Sequence, residues 1–298
     1  MNAAMGTTTA AAGPAGKPGI GPSPGRLAIR KLWRDKRAVG STAVLLLLTL
    51  AVFLGPLFLP DFEKQVLEAQ LLPPSAAHWM GTDHLGRDVL ARVLKGGQLS
   101  LAIGLIGTLI SVVVGTCYGC VSGFFHEKVD LAMMRVVDIL YSLPYMFLVI
   151  ILMFQFGRSI YVLFVALGLV QWLTVARIVR GQVLALKKEE FILAARTLGV
   201  GSFRILLRHV IPNVMGVVIV YATLTVPSVI LQEAFLSFLG ITVSSCTWGV
   251  LIADGKDYMD SAWWLLMFPG LTLTICLLCM NFLGDSLRDA LDPTAKIN

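Results

Sequence analysis

The chain is 298 residues long, 56% hydrophobic and only 14% charged, with a mean hydropathy of +0.79. A water-soluble domain of that size with so little charge would precipitate, so soluble enzymes and nucleic-acid-binding modules are excluded and a bilayer is implied. The net charge of +6 requires no nucleic acid, because basic loops facing anionic lipid headgroups produce it.

Residues 1–25 are Ala, Gly, Pro and Thr with almost no large apolar side chain, so this tail is expected to be disordered. A basic juxtamembrane segment follows at 26–37, carrying Arg30, Lys31, Arg34, Lys36 and Arg37. The first apolar run, 38–59, is too long for the core of a cleavable leader and no small-x-small site follows it, so it reads as a retained anchor. Further runs lie at 99–121, 139–156, 160–176, 213–236 and 263–283. Each is long enough to cross about 30 Å of hydrocarbon as a helix, the run at 160–176 being near the lower limit. The expectation is one all-α polytopic membrane domain of six transmembrane helices over 38–293, with a short tail at 294–298.

Six crossings put both termini on one side, and the cations say which. Of 24 Lys and Arg, seven lie in 1–37, two in 122–138, seven in 177–212 and two in 284–298; the alternate loops hold four in 60–98, one in 157–159 and one in 237–262. Cations collect on the cytoplasmic face, so the termini and the 177–212 loop are expected inside and the 60–98 loop outside.

In the outer loop, Val89, Leu90, Val93 and Leu94 share a helical face, while Asp88 and Arg92 stand at the i,i+4 spacing of a surface ion pair. This predicts an amphipathic helix on the outer leaflet, serving as an anchor or as a rest for an external partner. The second span carries Ser111, Gly115, Gly119 and Gly123 at four-residue spacing, a small-residue stripe that lets a neighbouring helix come close. Spacing leaves open whether that neighbour belongs to this chain or to a second subunit. At the inner edge of the third span, Asp138 lies three residues after Arg135, the spacing of an i,i+3 pair. Pro144, Pro227 and Pro269 interrupt helices, as hinges or as packing devices. Cys117 with Cys120 and Cys276 with Cys279 form two C-x-x-C pairs at similar expected depth, but neither is flanked by His or an acid. They read as buried small hydrophobes, with no metal site. Glu233 lies late in the fifth span beside Gln232 with no cation nearby in sequence. It faces a polar pathway or gate, or a structural hydrogen bond to a neighbouring helix.

The loop at 177–212 is long, basic and helix-prone, with Lys187, Lys188, Arg196, Arg204 and Arg208 alternating with apolar positions. It reads as one or two short helices on the membrane surface, docked against something outside the bilayer. Ala194 and Ala195 keep one helical face thin enough to enter a groove, Gly199 permits a sharp turn, and Pro212 fixes the start of the fifth span. The sequence holds no G-x-x-x-x-G-K-[ST], H-E-x-x-H or G-x-S-x-G, and its four histidines are scattered among loops. The chain is therefore read as a non-enzyme whose energy comes from elsewhere.

The string Glu190-Phe191-Ile192-Leu193-Ala194-Ala195-Arg196-Thr197-Leu198-Gly199, followed by Ile211-Pro212-Asn213, resembles the E-A-A loop of ABC-importer permeases. The strings Gly81-Thr82-Asp83-x-x-Gly86-Arg87-Asp88, Glu233-Ala234-Phe235-Leu236-Ser237-Phe238-Leu239-Gly240 and Gly284-Asp285-x-Leu287-Arg288-Asp289-x-Leu291-Asp292-Pro293 are similar to one branch of that family, the C-type permeases of oligopeptide and dipeptide importers. The loop departs from the pattern where Leu193 replaces its Glu, the acids lying earlier at Glu189 and Glu190, and where His209 and Ile211 replace its Ile and Leu.

The resemblance implies a type I ABC-importer permease fold in a bacterial cytoplasmic (inner) membrane, importing peptides. It implies a homologous second permease, two cytoplasmic ATPases that hold ATP and Mg, and an extracytoplasmic substrate-binding protein; this chain binds no cofactor itself. Glu189, Glu190, Leu193, Ala194, Ala195, Arg196, Gly199 and Pro212 would meet an ATPase, and Gly81, Thr82, Asp83, Gly86, Arg87 and Asp88 the external partner. Relatives of this type also import glutathione, nickel chelates or haem. A proton-coupled carrier or channel, or a structural anchor for a cytoplasmic complex, are the readings from other classes.

Overall fold

Helix after helix is set by apolar runs bounded by polar caps. The computed structural model describes residues 30–291, so the 1–25 tail, the beginning of the basic segment, the last two residues of the 284–293 string and the 294–298 tail lie outside the described residues. The main helices are α1 (Lys36–Leu54), α2 (Val89–Phe124), α3 (Glu127–Ser142), α4 (Tyr145–Phe156), α5 (Ile160–Leu186), α6 (Glu190–Thr197), α7 (Ser202–Ile205), α8 (Ile211–Phe238), α9 (Trp248–Lys256) and α10 (Trp264–Leu291). Side chains cap several starts: Asp35 accepts from the Arg37 N–H, Asp88 from Ala91 at 2.9 Å and Thr247 from Val250. A wide π-turn, Leu206–Val210, joins α7 to α8 and makes 202–238 one continuous helical rod.

Among the described residues, five helices are long and apolar enough to cross a membrane, and six crossings result if α3 and α4 count as one span bent by 88°. The expected third span, 139–156, is thus broken: the proline anticipated as a kink is the N-cap of α4, and Leu143 and Pro144 are both extended. Several spans are longer than expected. The second begins at Val89 and the fourth runs on to Leu186.

The part of α2 from Ile103 onward packs on α5 through the small-residue stripe. Ser111 donates to the Gly168 carbonyl at 2.9 Å, and a Cβ at Gly115, Gly119 or Gly123 would meet the backbone of α5 at 2.8, 2.5 and 3.0 Å. Only a missing side chain permits that approach. The neighbour is therefore a helix of this chain.

The core falls into clusters along the bundle. One, around Trp248 and Trp264, joins α1, α2, α9 and α10 at the end that carries 60–88. A second, of Cys120, Phe124, Val175, Val179, Val183, Val214 and Val218 with Ile192, Ala195, Ile205 and Leu206, holds the opposite end. Cys120 and Cys276 belong to different clusters, so the two C-x-x-C pairs do not converge.

Two expected ion pairs are corrected. Asp138 pairs with Arg177 at 2.8 Å, 39 positions away, because the α3 face carrying it lies on α5. Asp88 is occupied with capping α2 and with His78 Nδ1 at 2.8 Å, so Arg92 turns instead to Asp83 at 2.8 Å. Nor is there a separate amphipathic helix on the outer leaflet: 89–94 is the first turn and a half of α2, and its apolar face is buried under the outer hairpin.

Candidate functional site

Two polar-end structures carry the candidate residues. The first is α6 with the turn after it. Ile192 and Ala195 point into the bundle, where they meet the ends of α2, α5 and α8. The Arg196 guanidinium lies over the Phe124 ring at 5.3 Å, and Lys187 reaches the Phe125 carbonyl at 2.9 Å. Gly199, at φ +77°, ends the helix in a left-handed turn and is backed by the Val200 N–H donating to the Ala195 carbonyl at 3.1 Å. Phe191, Leu193, Ala194 and Leu198 face outward together with Phe203 and Leu207; Leu198 is 82% and Phe203 67% exposed. Glu189, Glu190 and Pro212 are exposed at its margins. The thin face expected of both alanines is divided: Ala194 is on the free surface, whereas Ala195 is spent on docking α6 to its own chain.

The second structure is the hairpin at 66–88. The Thr82 hydroxyl accepts from the Leu72 N–H at 2.8 Å, and Trp264 Nε1 donates to the Thr82 carbonyl at 3.1 Å. Asp83 accepts from the Leu85 and Arg87 N–H groups at 2.9 Å, from Arg87 Nε at 2.7 Å and from Arg92 Nη1 at 2.8 Å. Burial pushes its carboxyl up, but those hydrogen bonds and the Arg92 charge outweigh burial and hold it below its ordinary 3.8. Gly86, at φ +71°, has the Val66 carbonyl where a Cβ would be. Gly81, Thr82, Asp83, Gly86 and Asp88 are all buried and Arg87 is half-buried, so this string shapes the hairpin from inside. The large apolar side chains it exposes most are Leu67 and Trp79, the latter 73% exposed.

Glu233 is 1% exposed and faces the interior of its own chain. Its Oε1 accepts from Ser237 and Thr247 at 2.7 Å each, and Ser100 lies 3.5 Å from Oε2 while receiving the Trp248 N–H at 3.1 Å. The bonds from Thr247 and Ser100 are the contacts to neighbouring elements that the structural reading of Glu233 expects. Sequence inspection missed two groupings that matter. Asp130 of α3 takes both Arg180 Nε and Nη2 at 2.6 Å and also bonds Ser122. Tyr141, Ser142, Gln171, Thr174 and Gln232 line a 370 Å³ cavity at the α3/α4 break. Their spacing, from 1 to 91 positions apart, left no local signal.

A polytopic helical bundle whose exposed apolar patch sits on a short helix at one end, with no nucleotide site in its sequence, defines a membrane component of the transporter class. The chain belongs to the binding-protein-dependent transport system inner membrane component family, the membrane component of ABC importers, whose model matches residues 115–297. The N-terminal TM domain of oligopeptide transport permease C matches residues 23–74. Oligopeptide transport system permease protein OppC of Haemophilus influenzae is 46% identical over 269 residues, covering 89% of this chain and 86% of that protein. Its Escherichia coli K12 counterpart is 48% identical over 277 residues, covering 89% and 92%. Dipeptide transport system permease protein DppC of Bacillus subtilis is 43% identical over 271 residues, covering 90% and 85%. Among solved structures, an inward-facing MetNI methionine ABC transporter chain matches with TM-score 0.56 at 19% identity, over 67% of this chain and 96% of that one, which bears on the fold alone. The family and the importer-permease fold expected from the four strings are borne out.

Proposed function

We propose that this chain forms half of the translocation path of a peptide importer and is driven by cytoplasmic ATPases through α6. The relatives supply the substrate class, since they are oligopeptide and dipeptide permeases. The observation that carries the coupling role is the outward set Phe191, Leu193, Ala194, Leu198, Phe203 and Leu207. Large apolar side chains at a polar end, rimmed by Glu189, Glu190 and Arg204, mark a protein interface. The Lys and Arg distribution supports a cytoplasmic position for this end and for both termini in a bacterial inner membrane. ATP and Mg belong to the partner ATPases, a homologous permease completes the path, and an extracytoplasmic binding protein rests on the surface around Leu67 and Trp79.

Leu198→Asp places a charge on the free surface without touching the core. ATPase co-purification and ATP-driven peptide uptake are expected to be lost while the chain still inserts and melts normally. Normal co-purification with Leu198→Asp would remove α6 as the coupling surface.

A further inference from the structure

The peptide-importer reading leaves unassigned which part of this chain the substrate touches, and the break between α3 and α4 supplies the assignment. A membrane-spanning helix interrupted by extended backbone leaves carbonyls at the end of one half and N–H groups at the start of the other without helical partners. No side chain caps the first turn of α4, and Pro144 has no N–H to give. Such backbone persists at membrane depth only inside protein or beside a polar cavity.

A cavity of 370 Å³ lies there, with an apolar wall that includes Leu140, Leu148 and Val170 and a polar wall drawn from three helices. Tyr141 and Ser142 come from α3, Gln171 and Thr174 from the middle of α5 and Gln232 from α8. The Tyr141 hydroxyl and Thr174 Oγ1 are 3.0 Å apart, and the buried Gln232 Oε1 has no partner. The polar groups of the lining are neutral hydroxyls and amides, able both to donate and to accept, with no charged side chain among its walls. About one turn along α5, towards the α6 end, the Asp138–Arg177 pair closes the set at 2.8 Å, with Arg177 over the Tyr141 ring at 4.2 Å. Both members of that pair are largely exposed on the isolated chain, at 56% and 42%. A polar strip of this length facing lipid would be costly, so it faces water or the opposite half of the complex.

We propose that this cavity is the chain's share of the substrate path and that it engages the neutral amide backbone of a peptide. Alternating peptide N–H and C=O groups match hydroxyl and amide partners whatever the peptide's side chains are. An anionic chelate or a haem carboxylate would find no fixed cation within it. The inference rests on the importer reading.

The test uses the complete complex, with second permease, ATPases and binding protein, in proteoliposomes with radiolabelled tetra-alanine. ATP-driven uptake by the unaltered complex tests the importer reading by itself, and its absence would count against that reading. Given uptake, Gln171→Leu with Gln232→Leu is expected to raise KM about tenfold, the loss of one to two hydrogen bonds. An unchanged KM overturns the cavity's role. Thr174→Cys, nearly isosteric and combined with Cys117→Ser, keeps the test open if the double variant fails to assemble. Labelling by a membrane-impermeant maleimide that tetra-alanine slows supports the path. Labelling by a lipid-soluble maleimide alone, no labelling at all, or labelling that tetra-alanine leaves unaltered overturns it.

Discussion

Asp83 Oδ2 stands between two guanidiniums and ties the outer hairpin to α2. Its carboxyl is held below its ordinary 3.8, so the ionised form stabilises the native hairpin fully above that value. The stabilisation is lost as pH falls through the depressed native value. Hydrogen-exchange protection of 66–88, corrected for intrinsic rates, is expected to stay flat down to about pH 5 and to fall only below about pH 4. Asp83→Asn takes from buried Arg92 its carboxylate at 2.8 Å and leaves it Asp254 at 3.5 Å and the Ser245 carbonyl, at a cost of about 3 kcal/mol. Protection should then be lost at neutral pH and the acid step should disappear; wild-type protection in this variant would mean that packing alone holds the hairpin. Glu233 calls for the opposite expectation. Three hydroxyls surround it and no cation does, so Glu233→Gln should keep both the fold and uptake. Glu233→Leu strands those hydroxyls and should cost about 2–4 kcal/mol in thermal unfolding. Abolished uptake by a well-folded Glu233→Gln would show that a titrating carboxylate takes part in transport.

Between elements, the α2/α5 contact is set by absent side chains. A Cβ at Gly119 would lie 2.5 Å from the Ala176 carbonyl, backbone that cannot step aside, whereas one at Gly181 meets nothing within 4 Å. Gly119→Ala should therefore cost about 1–3 kcal/mol by overpacking. Gly181→Ala should gain up to about 1 kcal/mol from helix propensity. Detergent melting temperatures should rank Gly181→Ala above wild type and wild type above Gly119→Ala; equal shifts would mean the two helices are not held in register. The glycine stripe was legible in sequence because its period is helical and its residues are small. The start of α2 was not: Arg92 and Lys95 depress the local hydropathy, and Arg92 is tolerated there because distant segments bring Asp83, Asp254 and the Ser245 carbonyl to it. The same limit applies to Asp138, where a local i,i+3 partner lost to Arg177 across the α3/α5 contact. Sequence placed Pro144 at a kink, but the 88° turn depends on what α5 and α8 leave for α4 to pack against. The α6 region was legible as a motif, yet only packing divides Ala195 from Ala194.

On the scale of the molecule, the proposed function requires that a push on α6 reach the cavity at the α3/α4 break. α6 is seated on α2, α5 and α8 through Ile192 and Ala195, so its displacement moves the ends of those three helices. At the first turn of α3 a bracket ties it to the same end: Asp130 receives two hydrogen bonds of 2.6 Å from Arg180 of α5 and one from Ser122 of α2, with Asp138–Arg177 and Val137 packed on α5 further along. A bidentate pair fixes orientation as well as distance, so α3 should turn with α5 instead of sliding past it. Beyond α3 lies the extended 143–144 link, the one point in this span where rotation costs no helical hydrogen bond. The bracket is therefore expected to act in coupling more than in folding. Arg180→Met should leave the complex assembled and hydrolysing ATP, while lowering the number of peptides imported per ATP several-fold. Arg180→Lys, which keeps the charge but loses the fork, should fall between the two. An import-to-hydrolysis ratio unchanged in Arg180→Met would show that force reaches the break through α8 and Gln232, leaving α3 a passive wall.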